Sequence, residues 1–185
     1  MSPSRRAFLL PALALTLACG LGALAPRVAL AQAQAQPAAA AAGTVLVTGA
    51  SRGIGFEFVR QYAEAGWTVI ATARRPQESK NLIDLAAQHR NVRLEQLDVV
   101  DAASVAALAQ RLAGTPIDVL ISNAGDTDQF RGQSFGKLAH DRFGYLMELN
   151  AHGPIRVIEA LVGNVEAGRQ KKILAVSSLA GSFGT

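Results

Sequence analysis

At 185 residues, half of them apolar, the chain is long enough for one domain with a sizeable core. Its formal charge is +4, yet three of its 18 basic residues, Arg5, Arg6 and Arg27, lie in a leading segment without acids, so the remainder carries 15 basic against 14 acidic residues. A near-neutral domain offers no broad footprint for phosphate backbones, which argues against nucleic-acid binding, and with the only cysteine, Cys19, in the leading segment, the remainder can build neither a disulfide nor a zinc cluster.

Ser4-Arg5-Arg6-Ala7-Phe8-Leu9-Leu10 resembles the twin-arginine export motif. The apolar stretch from Ala7 to Leu24, broken by Pro11, Thr16 and many small residues, suits a signal peptide better than a permanent membrane helix. Ala29-Leu30-Ala31 before Gln32 supplies a small-x-small cleavage pattern. The expected division is a signal peptide over 1–31, an Ala/Gln-rich linker over 32–43 and an α/β domain over 44–185, exported to the periplasm with no membrane span once the signal is removed. An uncleaved anchor is one alternative. Lipid attachment at Cys19 is another, opposed by Thr16 where an aliphatic residue is usual.

From Thr44 short β-branched runs alternate with stretches of helical period, the pattern of a doubly wound parallel sheet with crossover helices. Strands are expected at Thr44 to Thr48, Thr68 to Ala73, Val92 to Val99, Ile117 to Ile121 and Lys172 to Ser177. Ile54, Phe58 and Tyr62 form the expected apolar face of the first helix, and Val105, Leu108 and Leu112 that of a later one with Asp101 as its N-cap. Gly66 stands where a C-terminal helix glycine belongs. The stretch between Phe135 and Gly168 reads as helical in its second half, with Ile155, Ile158, Leu161 and Val162 as its stripe.

The first strand runs into Thr48-Gly49-Ala50-Ser51-Arg52-Gly53-Ile54-Gly55, with a helix opening at its end. Glycines there let the backbone turn sharply and approach a pyrophosphate, whose charge faces the free N–H groups of the helix start. Structural turns alone can produce such a pattern; its place between a strand and an amphipathic helix favours a binding loop.

The spacing TGxxxGxG resembles the short-chain dehydrogenase/reductase family, and the resemblance extends from Thr44 to Thr185. Leu97-Asp98-Val99 resembles the family's adenine-contacting segment, and Ser122-Asn123-Ala124-Gly125 its NNAG motif with Ser122 replacing the first Asn. Asn150 matches the catalytic-helix Asn, and Val176-Ser177-Ser178-Leu179-Ala180-Gly181 the segment bearing the catalytic Ser. The wording is most similar to the C-factor-like branch. The resemblance implies a Rossmann-type fold, a homo-oligomeric parent and hydride transfer between nicotinamide and a carbonyl or alcohol, with Ser178 and Asn150 as catalytic residues and Ser177 as the alternative Ser. It implies cofactor contacts from Gly49, Ser51, Arg52, Gly53, Ile54, Gly55, Arg74, Asp98, Val99, Asn123, Ala124 and Gly125.

The second strand ends Ala73-Arg74-Arg75. An acidic residue there would accept from the ribose 2′-OH of NAD and repel a 2′-phosphate, whereas a guanidinium pairs with phosphate. NADP(H) is therefore preferred over NAD(H), with Arg52 able to approach the same phosphate. The resemblance also implies a Tyr with a Lys four residues on, about a dozen residues beyond Ser178. Tyr62 is followed by Gly66 and Tyr145 by Leu149 at that spacing, so neither tyrosine fits. The expectation is a chain cut before its last strands and helices, inactive by itself; the alternative is a complete, non-catalytic dinucleotide-binding or signalling remnant. A sugar-nucleotide epimerase is disfavoured by its usual TGxxGxxG spacing.

Overall fold

The computed structural model describes residues 42–127 and 134–178; the signal peptide, nearly all of the linker and Leu179 to Thr185 lie outside them. Strands β1 (Thr44–Val47), β2 (Thr68–Ala73), β3 (Val92–Gln96), β4 (Val119–Ser122) and β5 (Lys172–Ala175) form one sheet in the order β3-β2-β1-β4-β5, with every neighbouring pair parallel. The chain fills the sheet outward from β1 in one direction and then crosses to β4, so the strand order reverses between β1 and β4. In such a sheet the carboxyl ends of those two strands splay the following loops apart and open a crevice.

Both faces are covered, and the side-chain alternation of a strand sorts the residues. Val45, Val47, Val69, Ala71, Val119 and Ile121 point to one layer, with Val59 and Ala63 of α1 (Gly53–Glu64) and Leu82 and Leu85 of α2 (Lys80–Gln88). Leu46, Ile70 and Leu120 point to the other, against Val105 and Leu108 of α3 (Ala102–Arg111) and Val157, Leu161 and Val165 of α5 (Gly153–Ala167). Asp101 caps α3 by accepting from the Ala103 N–H at 2.9 Å, and Gly66 takes a φ of +78° just after α1.

Several expectations need correction. The buried face of α1 is Gly55, Val59 and Ala63, one position away from Ile54, Phe58 and Tyr62. Small residues let the helix sit close on the sheet, which turns Ile54 outward at 62 % exposure. In α5 the buried stripe is Gly153, Val157, Leu161 and Val165; Ile155 and Val162 are exposed, and Ile158 lies at the margin. Helical structure also begins earlier than expected, at α4 (His140–Met147), and passes through a π-helical turn, Glu148–His152, directly into α5. β3 stops at Gln96 rather than Val99, and β4 starts at Val119 rather than Ile117. Among the described residues no helix is long and apolar enough to cross a membrane.

Candidate functional site

A cleft of about 370 Å³ opens over the carboxyl ends of β1, β2 and β4. Gly49, Ser51, Arg52, Gly53, Ile54, Arg74, Asp98, Val99, Asn123, Ala124 and Gly125 line it. Four segments that are far apart in sequence thus meet where the strand order reverses. Gly55, Asn150 and Ser178 do not line it, and Ala73, Leu97, Asp126 and Leu149 join the wall unforeseen.

Thr48 holds the site together. It is buried, and its hydroxyl oxygen accepts from the N–H groups of Asn123 at 2.9 Å and Ala124 at 3.0 Å. Asn123 answers by donating its Nδ2 to the carbonyls of Thr48 at 3.0 Å and Gly49 at 3.2 Å. Its amide therefore shapes the glycine loop from below. The glycines are required by space as well as by angle: Gly49 has a φ of +68°, and a Cβ on it would lie 2.8 Å from the Ala124 Cα. A Cβ on Gly55 would collide with the Gly49 carbonyl oxygen and Asn123 Nδ2, so this residue serves the loop from beneath the cleft floor. The result is a bare backbone cradle at a helix start, the kind of place where free N–H groups can receive an anion.

Asn150 sits in the π-helical turn, and its side-chain amide bonds both backbone groups of Asp126, the residue after Gly125. A Cβ on Gly125 would stand 3.0 Å from the Asn150 Oδ1, which explains why glycine precedes the clamped residue. Leu149, the neighbour of Asn150, is carried into the cleft wall. Nothing in the spacing of Glu148-Leu149-Asn150 except the apolar residue beside the asparagine could have signalled it. Ser178 follows β5, which is tied to the Ser122 end of β4 by the Val176 N–H at 2.9 Å. That places it past the carboxyl edge of the sheet, the edge on which the cleft opens.

The two tyrosines are occupied in packing. The Tyr62 ring meets Trp67 edge to face at 4.9 Å between centroids, and Tyr145 lies under the Arg142 guanidinium at 4.8 Å.

Two cations stand on the cleft wall near β2, with Asp98 also lining the cleft. Arg52 and Arg74 both line it, and among the described residues neither guanidinium has a hydrogen-bond or ionic partner; Arg75 is paired with Glu78 at 3.0 Å. At the opposite wall Glu148 is held below the usual carboxylate range, first by the hydrogen bond from Arg156, against the upward push of burial, and further by His152.

Residues 43–185 match the family model described as short chain dehydrogenase. A short-chain dehydrogenase/reductase of Arthrinium is 33 % identical over 147 residues, covering 73 % of this chain and 54 % of that protein. Among solved structures, an NADPH-bound carbonyl reductase from chicken fatty liver is similar at a TM-score of 0.67 and 30 % identity, over 76 % of this chain and 58 % of that one. A carbonyl reductase of Pseudomonas aeruginosa PAO1 in complex with NADP gives a TM-score of 0.67 at 28 % identity, over 77 % of this chain and 61 % of that one. The chain spans about half the length of the curated relatives it matches.

Proposed function

Given that the chain belongs to the short-chain dehydrogenase/reductase family, we propose that it is the dinucleotide-binding portion of an NADP(H)-dependent oxidoreductase that interconverts a carbonyl and an alcohol. The observation that carries the cofactor choice is the pair of guanidinium groups, Arg52 and Arg74, on the wall of the glycine-loop cleft, neither of which has a partner among the described residues. Both side chains are exposed at the cleft rim and, among the described residues, have no carboxylate of their own, so a ribose 2′-phosphate would pair with them where a 2′-hydroxyl would not.

The residues present fit such a cofactor. The bare backbone at Gly49 and Gly53 would receive the pyrophosphate, Arg52 and Arg74 the 2′-phosphate, and Asp98 and Val99 the adenine edge. NADP(H), when bound, supplies the hydride. Ser178 would orient the carbonyl oxygen, and Asn150 would hold the wall beside the nicotinamide half through Asp126. Neither Tyr62 nor Tyr145, which pack against Trp67 and Arg142, lines the cleft where a proton donor would stand. Export by the twin-arginine route is part of the same reading: a transporter of folded proteins suits a domain that must load its nucleotide before leaving the cytoplasm.

Calorimetric titration of the full-length protein with NADPH and NADH tests the reading, together with NADPH oxidation against a panel of aldehydes and ketones. Tighter binding of NADPH and turnover of at least one carbonyl are expected. Equal affinity for the two nucleotides would overturn the cofactor choice.

A further inference from the structure

Arg156 lies outside every motif of the fingerprint, on the second turn of α5, yet its guanidinium connects two walls of the cleft. One amino group donates to the Val99 carbonyl oxygen at 2.9 Å and the other to Glu148 Oε1 at 2.6 Å. Val99 closes the segment after β3 that lines the cleft, whereas Glu148 opens the π-helical turn that carries Leu149 and Asn150. The same region is gripped a second time at Gly153, where a Cβ would stand 2.8 Å from Val99 Cγ2 and 3.1 Å from the Glu148 carbonyl oxygen. The start of α5 therefore sits on Val99 with no room to shift. Glu148 has a further partner in His152 Nδ1 at 3.0 Å, which fixes the carboxylate that Arg156 needs.

We infer that Arg156 is a positioning residue for nucleotide binding: by bridging the Val99 carbonyl and the Glu148 carboxylate, it sets the distance between the adenine-side wall at Asp98-Val99 and the wall at Leu149. The inference rests on the dinucleotide-binding reading above. Three features support it. The guanidinium is the one side-chain type that presents two parallel donors in a fixed fork, so both contacts can be made at once without choosing between them. The π-helical turn is the place where the ordinary helical hydrogen-bond ladder is rearranged, so the position of Leu149 and Asn150 needs an outside reference. Finally, the Val99 carbonyl lies past the end of β3 and has no strand neighbour to hold it.

Arginine 156 touches neither a reacting atom nor the cleft lumen, so its removal should act on binding and leave the chemistry alone. The test uses the full-length protein and three variants, Arg156→Lys, Arg156→Met and Glu148→Gln, titrated with NADPH and with 2′,5′-ADP, which carries only the adenine half. Arg156→Met should weaken both ligands about tenfold, as expected when a charge-assisted fork is lost from a binding wall. A lysine reaches only one acceptor at a time, so Arg156→Lys should recover part of that loss, and Glu148→Gln should fall between Lys and wild type. In steady state the KM for NADPH should rise while kcat stays near wild type.

Should Arg156→Met fail to fold, the Lys and Gln variants carry the test, since both keep volume and polarity. Wild-type affinity for 2′,5′-ADP, within twofold, in a folded Arg156→Lys and Glu148→Gln would overturn the bridge. Failure of the wild-type protein to bind either ligand would overturn the dinucleotide-binding reading itself, and with it this inference.

Discussion

The side-chain amide of Asn150 grips the backbone of Asp126 from both sides, accepting from its N–H at 2.9 Å and donating to its carbonyl at 2.7 Å. A residue to which family resemblance assigns a catalytic role is thus also the strut of a loop. The amide is suited to the task because it places an acceptor and a donor side by side on one short planar group. Asn150→Ala should speed hydrogen exchange of the Asp126 amide by about an order of magnitude, each such bond being worth about 1 kcal/mol. Asn150→Asp keeps the acceptor and loses the donor, so intermediate protection is expected. Unchanged protection in the alanine variant would show that the loop is held by other means.

Replacing Gly55 with alanine should be far more damaging than the same change at Gly53. At Gly55 the new methyl meets the Gly49 carbonyl and Asn123 Nδ2, both fixed by the Thr48 network. At Gly53 it meets nothing within 4 Å, and only the positive φ of +58° opposes it. Costs of about 3 kcal/mol and about 1 kcal/mol follow from overpacking and from backbone strain respectively. Urea denaturation midpoints rank the two, and the reverse order would refute the packing account of the loop.

Charge reversal at Arg74 should invert the nucleotide preference. A carboxylate on that wall repels a 2′-phosphate and accepts from a 2′-hydroxyl, so Arg74→Asp is expected to bind NADH more tightly than NADPH, with loss of NADPH affinity of about a hundredfold for an ion pair turned into a repulsion. Calorimetry with both ligands decides; retention of the NADPH preference would move the 2′-phosphate away from Arg74.

At the other end of the sheet, buried Asp118 accepts from the N–H groups of Thr44 at 2.7 Å, Arg169 at 2.8 Å and Gln170 at 3.3 Å. Burial pushes its carboxyl up, but these donors and the Arg169 guanidinium outweigh it and hold the group below its ordinary value. A carboxylate with a depressed folded-state pKa contributes stability above its unfolded pKa of about 3.9, and that contribution is lost as the pH falls through the folded value. Asp118→Asn should cost on the order of 2 kcal/mol at neutral pH and flatten the acid limb of the stability curve. Parallel acid limbs for the two proteins would exclude Asp118 as a contributor.

Export is tested at the other extreme of the chain. Arg5→Lys combined with Arg6→Lys preserves the positive charge and removes the paired guanidinium groups, so the precursor should accumulate in the cytoplasm. Normal processing of the double variant, followed by fractionation and immunoblot, would refute a twin-arginine signal.

The strands were legible because alternating β-branched runs leave a signature that side-chain chemistry cannot disguise, and the glycine loop because its backbone needs residues without a Cβ. The face of α1 was misread for a related reason. Ile54, Phe58 and Tyr62 dominate any count of hydrophobicity, but the helix is brought close to the sheet by Gly55 and Ala63, whose value lies in being small. Leu149 and Asp126 escaped notice because they enter the cleft through tertiary placement, by a π-helical turn and by the Asn150 clamp. Arg156 left no trace at all, since a lone basic residue on an amphipathic helix reads as solvated surface until its partners are known.

The hydroxyl of Thr48 binds amides 75 and 76 positions further along the chain. A fingerprint that reads as eight consecutive residues is therefore, as an object, a long-range contact. Closing so large a loop carries an entropic cost, and the phosphate cradle is complete only when β4 is docked beside β1. A peptide ending before Asp118 would carry every glycine of the motif and still have no floor beneath them. The most recognisable stretch of the sequence therefore depends, for the shape that would bind, on a strand some seventy residues further along the chain.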